Sequence, residues 1–204
     1  MEESEIKNIK NLILGSSSIW RKKVLEDLGF TFKTISPDID EKAIRDADPK
    51  KLTLLISRAK AQALIDRVKS EFGDNGGEGF ILVCSDQVIV CNGVIREKPL
   101  SIKECKEYLS SYEHHPAVAV VSVVVVNTKT NKIVEGTETA TQHFHKIPES
   151  RQDELIKQGD VLNCAGGFTV EHMSDVTDRL DGEIQTVMGL PKTLTLNLIK
   201  QAMC

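Results

Sequence analysis

Residues 83–90 form an otherwise apolar run interrupted by Asp86 and Gln87. An ionised carboxylate inside a buried strand costs several kcal/mol unless it is paired or bound to a cation. Asp86 therefore either ends the strand in a bulge or faces a cleft. Lys98 follows an Asn92-Gly93 turn, and a hairpin there would bring it back near Asp86. A second chemical segment is Leu14-Gly15-Ser16-Ser17-Ser18-Ile19-Trp20-Arg21. A strand ends, hydroxyls follow and a helix begins, and free amides and hydroxyls at such a junction suit an anion. Arg21 falls in the first helical turn, where a cation opposes the helix dipole and a bound anion would relieve it. The plainer alternative is a Ser-capped surface helix.

Other residues stay ambiguous by type alone. Lys60 lies at the edge of an apolar stripe of Ile56, Ala59, Ala63 and Leu64. It is either a snorkelling lysine or a cation at the rim of a phosphate site. Asp38, Asp40 and Glu41 form a solvated acidic cluster, or one of them holds a divalent metal through oxygen. Trp20, the sole tryptophan, is core or a stacking platform. Glu171 is exposed by default and by itself says nothing. The Gly-rich stretches 164–171 and 188–191 permit close backbone approach to a ligand. His143 and His145 alternate on a strand; a solvated strand face is the plainer reading, metal ligation the sharper one.

These residues need elements to position them. The pattern predicts strands over 11–14, 30–35, 80–84, 88–90, 94–95, 116–127 and 132–144. It predicts helices over 18–28, 49–72, 101–110, 148–157 and 192–203. Residues 73–79 read as a surface loop that cannot hold helix or strand. Helices and strands alternate early and antiparallel strands dominate the middle. The fold class is α/β, with a mixed central sheet flanked by helices.

With 204 residues, 40% of them hydrophobic, the chain suffices for one domain, or for one domain of two lobes around a cleft. The net charge of -4 argues against nucleic acid and anionic membrane as partners, though not against a local anion site. Five cysteines, odd in number and without a CxxC pair, point to reduced thiols inside a cell and no zinc framework. The acidic amino terminus and its short apolar run do not fit a signal peptide, and no segment is long and apolar enough to span a membrane. There is no P-loop, no GxGxxG and no GxSxG elbow.

In order along nearly the whole chain, LGSSSIWRK, PDIDE, AKA, SDQV, EKP, CAGGF and MGLP resemble the Maf (septum-formation protein) family of nucleoside triphosphate pyrophosphatases. The resemblance implies a single domain over 1–204 with two lobes around a cleft, similar to the inosine-triphosphatase fold. It implies phosphate-binding roles for Ser16, Ser18 and Arg21, and catalytic roles for Lys60, Asp86 and Lys98. It implies a metal site at Glu41 and Asp86 for Mg²⁺ or Mn²⁺. The reaction implied is cleavage between the α- and β-phosphates of a nucleotide, in a cytoplasmic enzyme whose relatives commonly form homodimers. Trp20, Gln87 and Glu171 replace an arginine, a threonine and a glutamine of many members, and resemble the 7-methyl-GTP branch. A ring made cationic by N7 methylation stacks on tryptophan, and a glutamate accepts both N1–H and the exocyclic amine. A dTTP/UTP pyrophosphatase on the same fold, or a nucleotide-binding protein without turnover, are the alternatives. Gly15 stands where the family commonly has alanine, Ile19 where proline is frequent, and 73–79 is an insertion.

Overall fold

A run of valines passes through the middle of the molecule as β5 (Ala117–Asn127), buried along almost its whole length. β-branched side chains favour the extended backbone, and burial on both faces explains why the run barely alternates. The computed structural model describes residues 9–204. The expectation about the acidic amino terminus falls mostly on residues 1–8, outside the described residues.

Around β5 the chain builds one seven-stranded sheet ordered β2-β1-β3-β5-β6-β7, with β4 paired to β3. The strands are β1 (Leu12–Leu14), β2 (Phe32–Thr34), β3 (Ile81–Cys91), β4 (Val94–Arg96), β6 (Lys132–Phe144) and β7 (Thr177–Asp181). β1 runs parallel to β2 and β3, while the other pairs are antiparallel. The sheet is mixed, as expected. Asn92 (φ 49°) and Gly93 (φ 74°) both adopt positive φ, which the tight β3–β4 turn requires.

The helices are α1 (Ile19–Asp27), α2 (Pro49–Phe72), α3 (Ile102–Ser111), α4 (Glu149–Gln158), α5 (Ile184–Val187) and α6 (Lys192–Met203). α2 has the predicted bounds for local reasons. Asp48 caps Lys50 and Lys51, Pro49 opens the first turn, and Gly73 (φ 77°) ends the helix.

Two corrections concern β3 and the 73–79 loop. β3 is one unbroken strand, not two segments, and Asp86 is its midpoint. The polar residues do not interrupt the ladder because backbone pairing is indifferent to side chains: Asp86 stays in register with Ser122. The 73–79 loop contains a 3-10 turn, Asn75–Gly77, with Asp74 accepting from the Gly76 amide. Strand β7 and helix α5 were not predicted.

The core lies in patches on either side of the β3 midpoint. One joins β1, α1 and α6 to the first half of β3. Another packs α2 on the opposite face of the same half. A third joins α3, α4 and the 160–176 segment to the far half of the sheet. The long strands β3, β5 and β6 run through both halves. Among the described residues, no helix is long and apolar enough to cross a membrane.

Candidate active site

Asp86 is 6% exposed and Lys60 4%. The Lys60 Nζ donates to Asp86 Oδ1 at 2.8 Å and lies 3.2 Å from Glu41 Oε1. Lys60 is therefore not at the edge of the α2 stripe. Leu52, Ile56, Lys60 and Leu64 are all buried at a spacing of four, so the lysine occupies the centre of the core-facing side. A charge buried there is tolerated because two carboxylates meet it.

Hydroxyls fix α2 against the sheet at the same level. Ser122 Oγ lies 2.7 Å from both Thr53 Oγ1 on α2 and Thr137 Oγ1 on β6. Ser57 Oγ donates to the Ser122 carbonyl at 3.0 Å. The serine that breaks the β5 valine run is thus a bolt opposite Asp86.

The acidic cluster sorts by position. Asp40 accepts from the Lys42 amide and caps the turn Glu41–Ala43. Glu41 reaches Lys60, while Asp38 lies outside the cavity lining.

At the start of α1, Ser18 caps the Arg21 amide. Ser16 Oγ accepts from the Ser18 amide at 3.1 Å and from Arg21 Nη1 at 3.2 Å. Arg21 Nε donates to the Gly189 carbonyl at 3.0 Å, and Ser85 Oγ donates to the same oxygen at 2.9 Å. Burial pulls the guanidinium below its ordinary pKa, and the nearby charges of Asp86 and Glu41 oppose that. Gly15 admits no side chain: a Cβ there would lie 2.5 Å from Cys84 Sγ and 2.7 Å from Leu64 Cδ1.

The other end of the site is built by the 160–175 segment. Trp20 meets the His172 ring edge-on at 6.1 Å. Arg151 on α4 grips Asp175 with two bonds of 2.9 Å and donates to the His172 carbonyl. Glu171 is half-buried, not exposed. Burial raises its pKa, partly offset by its own backbone amide and by His172 and Lys23. Its Oε1 is buried without a hydrogen-bond partner. Gln87 Nε2 donates to the Val187 carbonyl at 2.8 Å. Burial pushes the Cys164 thiol up to about 11.

Ser16, Ser18, Trp20, Arg21, Glu41, Lys60, Asp86, Gln87, Lys98 and Glu171 all line one cavity of about 870 Å³. Beyond the hairpin, Lys98 lines the same cavity as Asp86. Glycines of the 164–171 and 188–191 stretches pack closely against protein groups. A Cβ on Gly166 would strike Ile89 and Tyr112 at 2.7 Å, and one on Gly189 would meet Gln87 Oε1 at 2.8 Å. Their close approach is to protein groups. The sequence reading missed Ser85, the Gly189 carbonyl and Arg151, because each acts through a contact with a residue distant in the chain that leaves no local pattern. Thr169 and Arg45 also line the cavity unforeseen.

Glu41 and Asp86 already converge on one cation, the Lys60 ammonium. Among the described residues no three His, Cys, Asp or Glu side chains cluster as a metal site. Two oxygen donors fit a hard divalent ion that takes its remaining ligands from phosphate and water. His143 pairs instead with Asp181 at 3.0 Å, and His145 Nε2 lies 3.8 Å from Asp178, both on β7.

Residues 11–202 match the Maf family, described as Maf-like protein. The chain is also similar to a 7-methyl-GTP pyrophosphatase of Dictyostelium discoideum. The two are 70% identical over 190 residues, covering 93% of this chain and 96% of that protein.

Proposed function

We propose, for a chain that belongs to the Maf family, that this cleft hydrolyses 7-methyl-GTP to 7-methyl-GMP and pyrophosphate. The observation that carries the reading is the Glu171 carboxylate, half-buried with an unpartnered Oε1, on the cavity that Trp20 also lines. An acceptor without a donor, on a cavity that an aromatic ring also lines, suits a cationic base that offers two N–H groups. The name of the Dictyostelium relative agrees with it.

Arg21, Ser16 and Ser18 hold the phosphates. Arg21 has five N–H donors and spends two on Ser16 and Gly189, leaving its others for phosphate oxygens. Lys60 and Lys98 add compensating charge. Glu41 and Asp86 would hold a divalent cation, Mg²⁺ or Mn²⁺, which when bound neutralises charge on the phosphate oxygens. Asp86 takes a proton from the water whose oxygen bonds to the α-phosphorus. The bond from that phosphorus to the α–β bridging oxygen breaks, and its electron pair leaves with pyrophosphate. Lys60, fixed on Asp86 Oδ1, keeps the carboxylate oriented so that Oδ2 is the oxygen left to act.

Gln87 shapes the base pocket by holding the carbonyl of Val187. The enzyme is read as one two-lobed domain, cytoplasmic, acting on free nucleotides as a homodimer. A sedimentation mass of one chain would remove the dimer. The decisive experiment is pyrophosphate release over a panel of nucleoside triphosphates with Mg²⁺ or Mn²⁺. The highest kcat/KM is expected for 7-methyl-GTP, and a clear preference for dTTP or UTP would overturn the branch. Tight binding without pyrophosphate release would make the protein a binder.

A further inference from the structure

Thr169 is 4% exposed, lines the same cavity as Glu171, and its hydroxyl has no hydrogen-bond partner. A buried hydroxyl left unpaired is costly, so it is kept where something else completes it. Across the described residues only four buried side-chain polar atoms lack a partner: those of Thr169, Glu171, Thr186 and Thr195. Of the four residues, Thr169 and Glu171 alone line this cavity. One residue separates them, which keeps their Cα atoms within about 7.6 Å.

We propose that Thr169 is a specificity-determining residue whose hydroxyl donates to the O6 keto oxygen of a bound guanine base. This rests on the guanine reading given above. The edge of guanine presents, in order, the exocyclic amine, N1–H and O6: two donors and then an acceptor. Glu171 supplies acceptors only when ionised, so it can satisfy the two donors and not O6. The neighbouring orphan is the hydroxyl of Thr169, which can donate. Adenine presents an acceptor at N1 and has no amine at C2, so the Glu171 carboxylate loses both of its donors, while the Thr169 hydroxyl would have to turn and accept from the 6-amino group. The pair therefore reads the guanine edge, while Trp20 senses the charge that methylation puts on the ring.

The test compares Thr169→Val, which keeps the shape and removes the hydroxyl, with Thr169→Ser, which keeps it. Each is assayed with 7-methyl-GTP and with the triphosphate of 7-methylated 2-aminopurine riboside, which lacks O6 and with it the N1–H, so that its lower wild-type kcat/KM serves as its own reference. Thr169→Val is expected to lower kcat/KM for 7-methyl-GTP about tenfold, mainly through KM, with the 2-aminopurine substrate unchanged. Thr169→Ser should stay near the wild type on both. An equal loss on both substrates, or no loss on 7-methyl-GTP, overturns the assignment and leaves the guanine reading standing. If the wild type instead prefers pyrimidine triphosphates, the guanine reading fails and takes this one with it.

Discussion

Lys60 brings Asp86 and Glu41 to one point inside the protein, so removing either charge leaves another imperfectly matched. Asp86→Asn keeps the shape and removes the base. It should lower pyrophosphate release by roughly 10²–10⁴-fold. Near-normal turnover would exclude Asp86 as the proton acceptor. Glu171 carries a pH prediction. Burial raises its pKa, and only its ionised form accepts twice and attracts a cationic base. KM for 7-methyl-GTP should therefore climb as pH falls through that raised value, and Glu171→Gln should flatten the climb. Stability without nucleotide has the opposite sign. The folded carboxyl keeps its proton to higher pH than the unfolded one. That stabilising contribution is present at low pH and is lost as pH rises from the unfolded value through the folded one. Thermal melts of wild type and Glu171→Gln across that window should show the difference, and parallel curves would contradict it.

Between α2 and the sheet, Ser122 sets how Lys60 meets Asp86. Its hydroxyl bridges Thr53 and Thr137, and its carbonyl takes Ser57, one helical turn before Lys60. Ser122→Ala removes both side-chain bonds; Thr53 keeps its bonds to the Pro49 and Lys50 carbonyls and Thr137 is only half-buried, so the cost is about 1 kcal/mol per bond lost. Urea unfolding should show that loss together with a fall in kcat, because the α2 register against β3 is loosened. Unchanged kcat would mean that packing alone sets the register. Elements of this kind were only partly readable. Ser122 is visible as an interruption of the valine run, but its partners are 69 and 15 residues away. α2 was readable to the residue because Asp48, Pro49 and Gly73 mark it locally. β7 was not, since Thr177–Asp181 has one apolar residue in five and is held by pairing with β6. The same division runs through the site. Asp86 announces itself by the cost of a charge among apolar neighbours. The buried position of Lys60 does not, because its partners Glu41 and Asp86 come from other elements.

At the scale of the molecule, the cleft opens over a sheet that does not stop there. β3, β5 and β6 pass beneath it, paired without a break from Ile81↔Asn127 to Val90↔Val118 and from Asn127↔Lys132 to Ala117↔Gln142. A rotation of two rigid halves would have to strain those ladders near Asp86, the midpoint of β3. Closure on a nucleotide should therefore fall to the loops around the mouth. Arg45 and Glu97 already join two of them by an ion pair of 2.9 Å, with both side chains about half exposed. Such a pair contributes under about 1 kcal/mol and can break and re-form at little cost. Hydrogen exchange followed with a non-hydrolysable α,β-methylene analogue of 7-methyl-GTP and Mg²⁺ separates the two cases. Protection should rise in peptides covering 16–21, 36–46, 97–101 and 160–175, while the amides of β5 exchange as slowly as before. A comparable change along the middle of β3 and β5 would mean that the halves move as bodies and that the shared strands act as the hinge.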